Sequence, residues 1–132
     1  MHPIDKLAWI EIQDKAILST KSYGKDKYYL PGGKREAGET DTQALCREIM
    51  EELSVHLQAG TLEFLGVFQA PAHGQPEGVM VQMTCYKAAY AGQIKAAAEI
   101  AEVRWLNYKD KDQISEVDKL IFDFLKERNL ID

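Results

Sequence analysis

Apolar residues recur along this chain with two periods, and the points where the period changes divide it into elements. From Lys6 to Thr20, in KLAWIEIQDKAILST, the residues Trp9, Ile10, Ile12, Ile17 and Leu18 favour a pleated surface. The stretch predicts two short strands joined at Gln13, Asp14 and Lys15, the start of a hairpin or meander. Past the polar SYGKDK, the aromatic YYL predicts another short strand, ended by Pro31 and two glycines.

The period then becomes helical. In TDTQALCREIMEELSV, Thr40 is followed three residues later by Gln43, the capping-box spacing, and Asp41 adds negative charge to the first turn. Leu45, Ile49 and Leu53 recur every four residues and share one core-facing stripe. Downstream, TLEFLGVFQA and VMVQMTCYKAAY read as an antiparallel strand pair around the loop PAHGQPEG, and AEVRWLNY as one more strand. In ISEVDKLIFDFLKERNL, the residues Ile114, Val117, Leu120, Ile121, Phe124 and Leu125 fall at helical spacing, so an amphipathic helix ends the chain. Each helix must bury its stripe on a sheet face, which predicts an α/β (α+β) fold layered as helix, sheet and helix.

Composition narrows this picture without redirecting it. With 132 residues, 45% of them hydrophobic and 28% charged, the chain predicts one globular domain spanning 1–132. No apolar stretch is long enough for a membrane span, and the N-terminus lacks the pattern of a secretion signal, so the expected location is the cytoplasm. Cys46 and Cys85 lie in apolar-patterned segments without zinc spacing and read as reduced structural residues. The net charge of −5, without a basic block, argues against a protein that holds nucleic acid by its phosphates. An anionic ligand would need placed cations, backbone N–H groups or a bound divalent metal.

The decapeptide PGGKREAGET, from Pro31 to Thr40, raises that possibility, because Gly32 and Gly33 let the backbone turn tightly and approach a ligand without a Cβ. The helix after it carries Glu48, Glu51 and Glu52 on one stripe, with Arg47 as its one cation. Like charges at this spacing repel by about 0.2–0.5 kcal/mol per pair. Such a face is either solvated or a cation site. Magnesium usually takes only one or two protein carboxylates, so several acids suggest more than one ion, bridged by a polyphosphate. Such ions polarise a phosphoryl group and can turn a bound water into a nucleophile.

The segment from Gly33 to Val55, GKREAGETDTQALCREIMEELSV, resembles the Nudix box: Gly, five residues, Glu, seven residues, then Arg-Glu-apolar-x-Glu-Glu-x-Gly-apolar. Gly33, Glu39, Arg47, Glu48, Ile49, Glu51, Glu52 and Val55 match, and Ser54 replaces the last glycine. That position falls just past the helix end, where a left-handed backbone is common, so serine should cost about 1 kcal/mol there. The resemblance implies an α/β/α sandwich with a mixed sheet and divalent-metal-dependent hydrolysis of a nucleoside diphosphate linked to another group. It implies that Glu48, Glu51 and Glu52 bind magnesium or manganese, with the Gly32 carbonyl as a further ligand, while Gly33, Glu39 and Arg47 support the site. The family often places one more acid shortly before a later tryptophan. Before Trp105 the chain offers Glu99 and Glu102, of which Glu99 is favoured. Glu48, Glu52 and Glu99 are the alternatives for a catalytic base.

Substrates within the family range over nucleoside triphosphates, oxidised nucleotides, ADP-ribose and nucleotide sugars. A proline about fifteen residues past the box accompanies ADP-ribose enzymes; Pro71 is sixteen past Val55, and also reads simply as the opening of a loop. Lys34, Tyr29 and Phe68 are the residues expected to contact substrate; Tyr28 and Tyr86 are weaker choices, and His73 lies in a loop that could rim the site. Lys21 and Lys27 read as solvated. The competing class is a non-catalytic nucleotide-sensing module of the same fold, and the resemblance is compatible with a homodimer.

Overall fold

The computed structural model describes residues 2–72 and 75–132. The first apolar run becomes β1 (Ile4–Trp9), β2 (Ile12–Gln13) and β3 (Ala16–Ser22). The hairpin lies between β2 and β3, where Asp14 and Lys15 turn the chain with φ of 51° and 61°. After it come β4 (Gly32–Gly33), α1 (Asp41–Leu53), β5 (His56–Leu57), β6 (Glu63–Pro71), β7 (Met80–Lys87), β8 (Tyr90–Ala91), β9 (Ile100–Leu106) and α2 (Glu116–Glu127).

β1 leaves the hairpin and runs parallel to β7, from Ile4 opposite Val81 to Trp9 opposite Tyr86. With antiparallel β4 and β6 this makes a mixed sheet in the order β4-β1-β7-β6, beside a second sheet, β2-β3-β9, and the short pair β5-β8. Alternation along β1 divides the core. Leu7 and Trp9 pack with Leu45, Ile49 and Leu53 of α1, whereas Ala8 and Ile10 pack with Val117, Ile121 and Leu125 of α2. Helices thus cover both faces of the main sheet, as the layered α/β/α reading expects.

Three expectations are adjusted. YYL is not a strand: Tyr29 bridges Thr20 and Tyr28 bridges Ile114 singly, and the pairing with β1 falls instead to the two glycines. VMVQMTCYKAAY breaks after Lys87 and resumes as β8. In α2 the buried stripe is Val117, Ile121, Phe122 and Leu125; Leu120 is 42% exposed, and Ile114 is buried but precedes the helix. Spacing alone admits either flank of the stripe, and the core selects the side that holds Phe122.

Candidate active site

Two glycines bring the loop close enough to the helix to form a site. Gly32 has a φ of 148°, and a Cβ there would overlap the Leu7 carbonyl of β1. A Cβ on Gly33 would overlap the Glu48 carboxylate, so bare backbone lets that side chain lie on the loop. The helix is held in register by the capping box at Thr40, whose side chain accepts from the Gln43 N–H while Gln43 accepts from the Thr40 N–H. At the other end Ser54 adopts the left-handed conformation, with φ of 65°.

Arg47 ties loop to helix. Its Nε and one Nη donate to the two oxygens of Glu39 at 2.7 and 2.9 Å, a bidentate pair, and the same Nη reaches the Lys34 carbonyl at 3.0 Å. Its other Nη donates to Glu48 at 2.9 Å and to Glu51 at 3.4 Å. Hydrogen bonding to Arg47 pulls the Glu39 carboxyl down to about 2. Arg35 adds a second clamp on the loop, bonding Asp5 of β1 and, at 2.6 Å, Asp41 of α1.

Glu99 arrives from a distant part of the chain. The carbonyls of Glu52 and Leu53, which the helix end leaves open, accept from the N–H groups of Ala97 and Lys95 at 2.9 Å each. This docks the segment before β9 on the end of α1 and brings Glu99 into the cavity that Glu52 lines. Burial pushes the Glu52 carboxyl up to about 8; the Gly32 N–H, donating at 3.1 Å, opposes this, and the charges of Glu48 and Glu99 add to it. Burial likewise raises Glu48, with Arg47 opposing. Glu102, the alternative to Glu99, is elsewhere and accepts from the Tyr28 hydroxyl.

Glu48, Glu52 and Glu99 line one cavity of about 360 Å³ with Gly32, Gly33 and Lys34, and Tyr29 lies on its wall. The structure thus brings together most of the residues singled out in the sequence. Glu51 is half-exposed on the Arg47 side and is not a lining residue. Phe68 packs edge-on against Phe124, with centroids 5.2 Å apart, in the α2-side core. Lys27 caps the Asp112 carbonyl at 2.8 Å, Lys21 lies over the Tyr28 ring, and Tyr86 donates to Asp41 at 2.6 Å. Pro71 ends β6 and lines the cavity, and His73 lies outside the described residues.

Sequence reading missed Lys6, which lines the cavity, and Asp118, which is buried behind it. Each had a signal. Lys6 interrupts the apolar alternation Ile4, Ala8, Ile10, and Asp118 sits one helical turn before buried Phe122.

Glu48, Glu52 and Glu99 offer carboxylate oxygens in the cavity lining, the type that hard divalent cations take. Among the described residues no three His, Cys, Asp or Glu side chains are already drawn together as a cation site, and Arg47 donates to Glu48. The donor chemistry fits a cation, and Arg47 engages one oxygen of Glu48. Among the same residues no helix is long and apolar enough to cross a membrane.

Comparison with known proteins agrees with the geometry. A family model described as the NUDIX domain matches residues 5–125. An ADP-ribose pyrophosphatase of Methanocaldococcus jannaschii is 28% identical over 133 residues, covering 98% of this chain and 77% of its own length. The solution structure of the E. coli ORF135 protein superposes with a TM-score of 0.75 at 23% identity, covering 97% of this chain and 92% of that one. A MutT NUDIX hydrolase from Burkholderia pseudomallei gives 0.74 at 22% identity, covering 93% of this chain and 98% of that one. Box, layered fold and acid-lined cavity coincide in one conclusion: this chain belongs to the Nudix family and is a Nudix hydrolase.

Proposed function

We propose that this chain hydrolyses the diphosphate linkage of a nucleoside diphosphate joined to another group, in a reaction that depends on magnesium or manganese. The observation that carries the reading is that Glu48, Glu52 and Glu99 line one cavity of about 360 Å³, a volume in the range of small-molecule sites. Nudix hydrolases generally need divalent metals, and one held by these acids supplies Lewis acidity toward a phosphoryl oxygen and a more acidic water.

In this reading, water adds to one phosphorus while the anhydride P–O bond breaks and the other phosphate departs with the bonding electrons. Glu52 takes the proton that the water loses, because burial and the charges of its acidic neighbours raise its carboxyl and so make its ionised form a stronger base. The Lys34 side chain at the lining offsets charge on the departing phosphate. The relative from Methanocaldococcus jannaschii makes ADP-ribose one member of the substrate panel to test.

Phosphate release with product identification, over nucleoside triphosphates, oxidised nucleotides, ADP-ribose and nucleotide sugars, tests the reading. Turnover should require magnesium or manganese, stop with chelator, and fall at least about 100-fold in Glu52→Gln. Tight binding of a nucleotide without turnover would replace the hydrolase reading with that of a sensing module.

A further inference from the structure

Five non-glycine residues hold a positive φ among the described residues, and four of them stand where such a backbone is ordinary. Asp14 and Lys15 turn the hairpin between β2 and β3, and Ser54 and Asn129 stand at the ends of α1 and α2. Ala98, with φ of 53°, is the exception. It has no polar side chain to bond its own backbone, and it is exposed rather than packed into the core.

The bonds around Ala98 show what that conformation serves. The Ile100 N–H donates to the Ala97 carbonyl at 3.0 Å, closing a turn with Ala98 and Glu99 at its centre. A positive φ at the first central residue alone is the pattern of a type II′ turn, where glycine is usual at that place. Three more bonds fasten the turn: the N–H groups of Lys95, Ala97 and Tyr23 donate to the carbonyls of Leu53, Glu52 and Glu99, at 2.9 Å each. Tyr23 belongs to a loop whose Ser22 and Lys25 line the cavity with Glu99, and β3 shifts register between Lys21 and Ser22, where Ser22 meets Ile100. Backbone held on both sides of Ala98 over-determines its φ, the circumstance in which local strain persists at functional sites.

We propose that Ala98 is a positioning residue: its left-handed backbone turns the chain so that Glu99 joins Glu48 and Glu52 in lining the cavity. This rests on reading the cavity as the site of hydrolysis. The turn is the whole connection, because Ala98 and Glu99 alone separate Ala97, bonded to α1, from Ile100, the first residue of β9. In so short a link, reversing the hand of the turn redirects the Glu99 side chain. Ala98 itself is not a lining residue of the cavity, so it acts through Glu99 and by backbone conformation.

Glycine at this position holds the same backbone without strain, whereas proline fixes φ at about −65° and reverses the hand of the turn. With folding of each variant established by circular dichroism, Ala98→Pro should lower kcat at least about tenfold and leave KM within about threefold. Ala98→Gly should retain most of kcat and raise the melting temperature. In the Glu99→Gln background, Ala98→Pro should cost nothing further, because the acid it positions is gone; a merely structural role would multiply the two losses. Ala98→Val, which opposes a left-handed backbone more mildly, carries the same comparison should the proline variant not fold. An undiminished kcat in Ala98→Pro, losses that multiply in the double variant, or equal damage from Ala98→Gly would overturn the proposal. Manganese affinity of the same variants repeats the comparison without turnover. If the parent hydrolyses nothing on the panel, the hydrolase reading fails and this affinity decides the proposal: equal, non-multiplying losses in Ala98→Pro and Glu99→Gln uphold it, and unchanged affinity or no binding overturns it.

Discussion

Gly32, just before the box, and Gly33, its first residue, do different work, because different atoms lie where their Cβ would go. At Gly33 the obstacle is the Glu48 carboxylate, the far end of a flexible side chain; at Gly32 it is the Leu7 backbone in a paired strand. Gly33→Ala should therefore displace Glu48 and cut turnover while unfolding changes little. Gly32→Ala must break the pairing of β4 with β1 and should lose about 1–3 kcal/mol. Urea denaturation beside kcat for both variants checks the contrast, and equal stability losses would contradict it. The need for glycine was legible in the sequence, but not the atom each glycine avoids.

Both ends of α1 were readable from local chemistry, since caps depend on neighbours three or four residues away. Thr40 and Gln43 form the expected capping box, and Ser54 takes the left-handed conformation where the family's glycine would stand. Ser54 keeps its place with a bond from its hydroxyl to the Lys95 carbonyl, at 3.3 Å and exposed, which offsets little of the strain. Ser54→Gly should therefore raise stability by about 1 kcal/mol, read as a higher melting temperature without loss of turnover. A lower melting temperature would mean that the Lys95 contact outweighs the strain. The partner of β1 was not readable in the same way. Parallel pairing with β7 joins positions more than seventy residues apart, and no local signal records it.

At the scale of the whole molecule, burial of acids makes the metal-free protein sensitive to alkali. Folded, Glu52 and Asp118 hold their protons to about pH 8 and 7; their ordinary values are 4.5 and 3.8. Between those limits the folded chain binds more protons than the unfolded one, so their contribution is full below about pH 4 and is lost as pH rises through 7 to 8. Glu39, held near 2, acts oppositely, but only below its ordinary 4.5. Melting temperatures in chelator should fall from about pH 5 to 8, and less steeply in Glu52→Gln. A flat profile, or an unchanged slope in the variant, would refute the assignment.

The sequence by itself determined what short-range chemistry controls: the helical stripe of Leu45, Ile49 and Leu53, the caps of α1, the glycine loop, and three glutamates within one and a half turns. Period and spacing carry those features, because the groups that stabilise them are near neighbours in the chain. The tertiary structure decided which of these meet. Docking of Lys95 and Ala97 on the end of α1 brought Glu99 to Glu52 and left Glu102 with Tyr28. The sheet set Lys6 in the wall of the cavity that Glu52 and Glu99 line, 46 and 93 positions later. Burial, which gives both Asp118 and Glu52 their hold on a proton, is a property of packed layers that no stretch of sequence possesses alone.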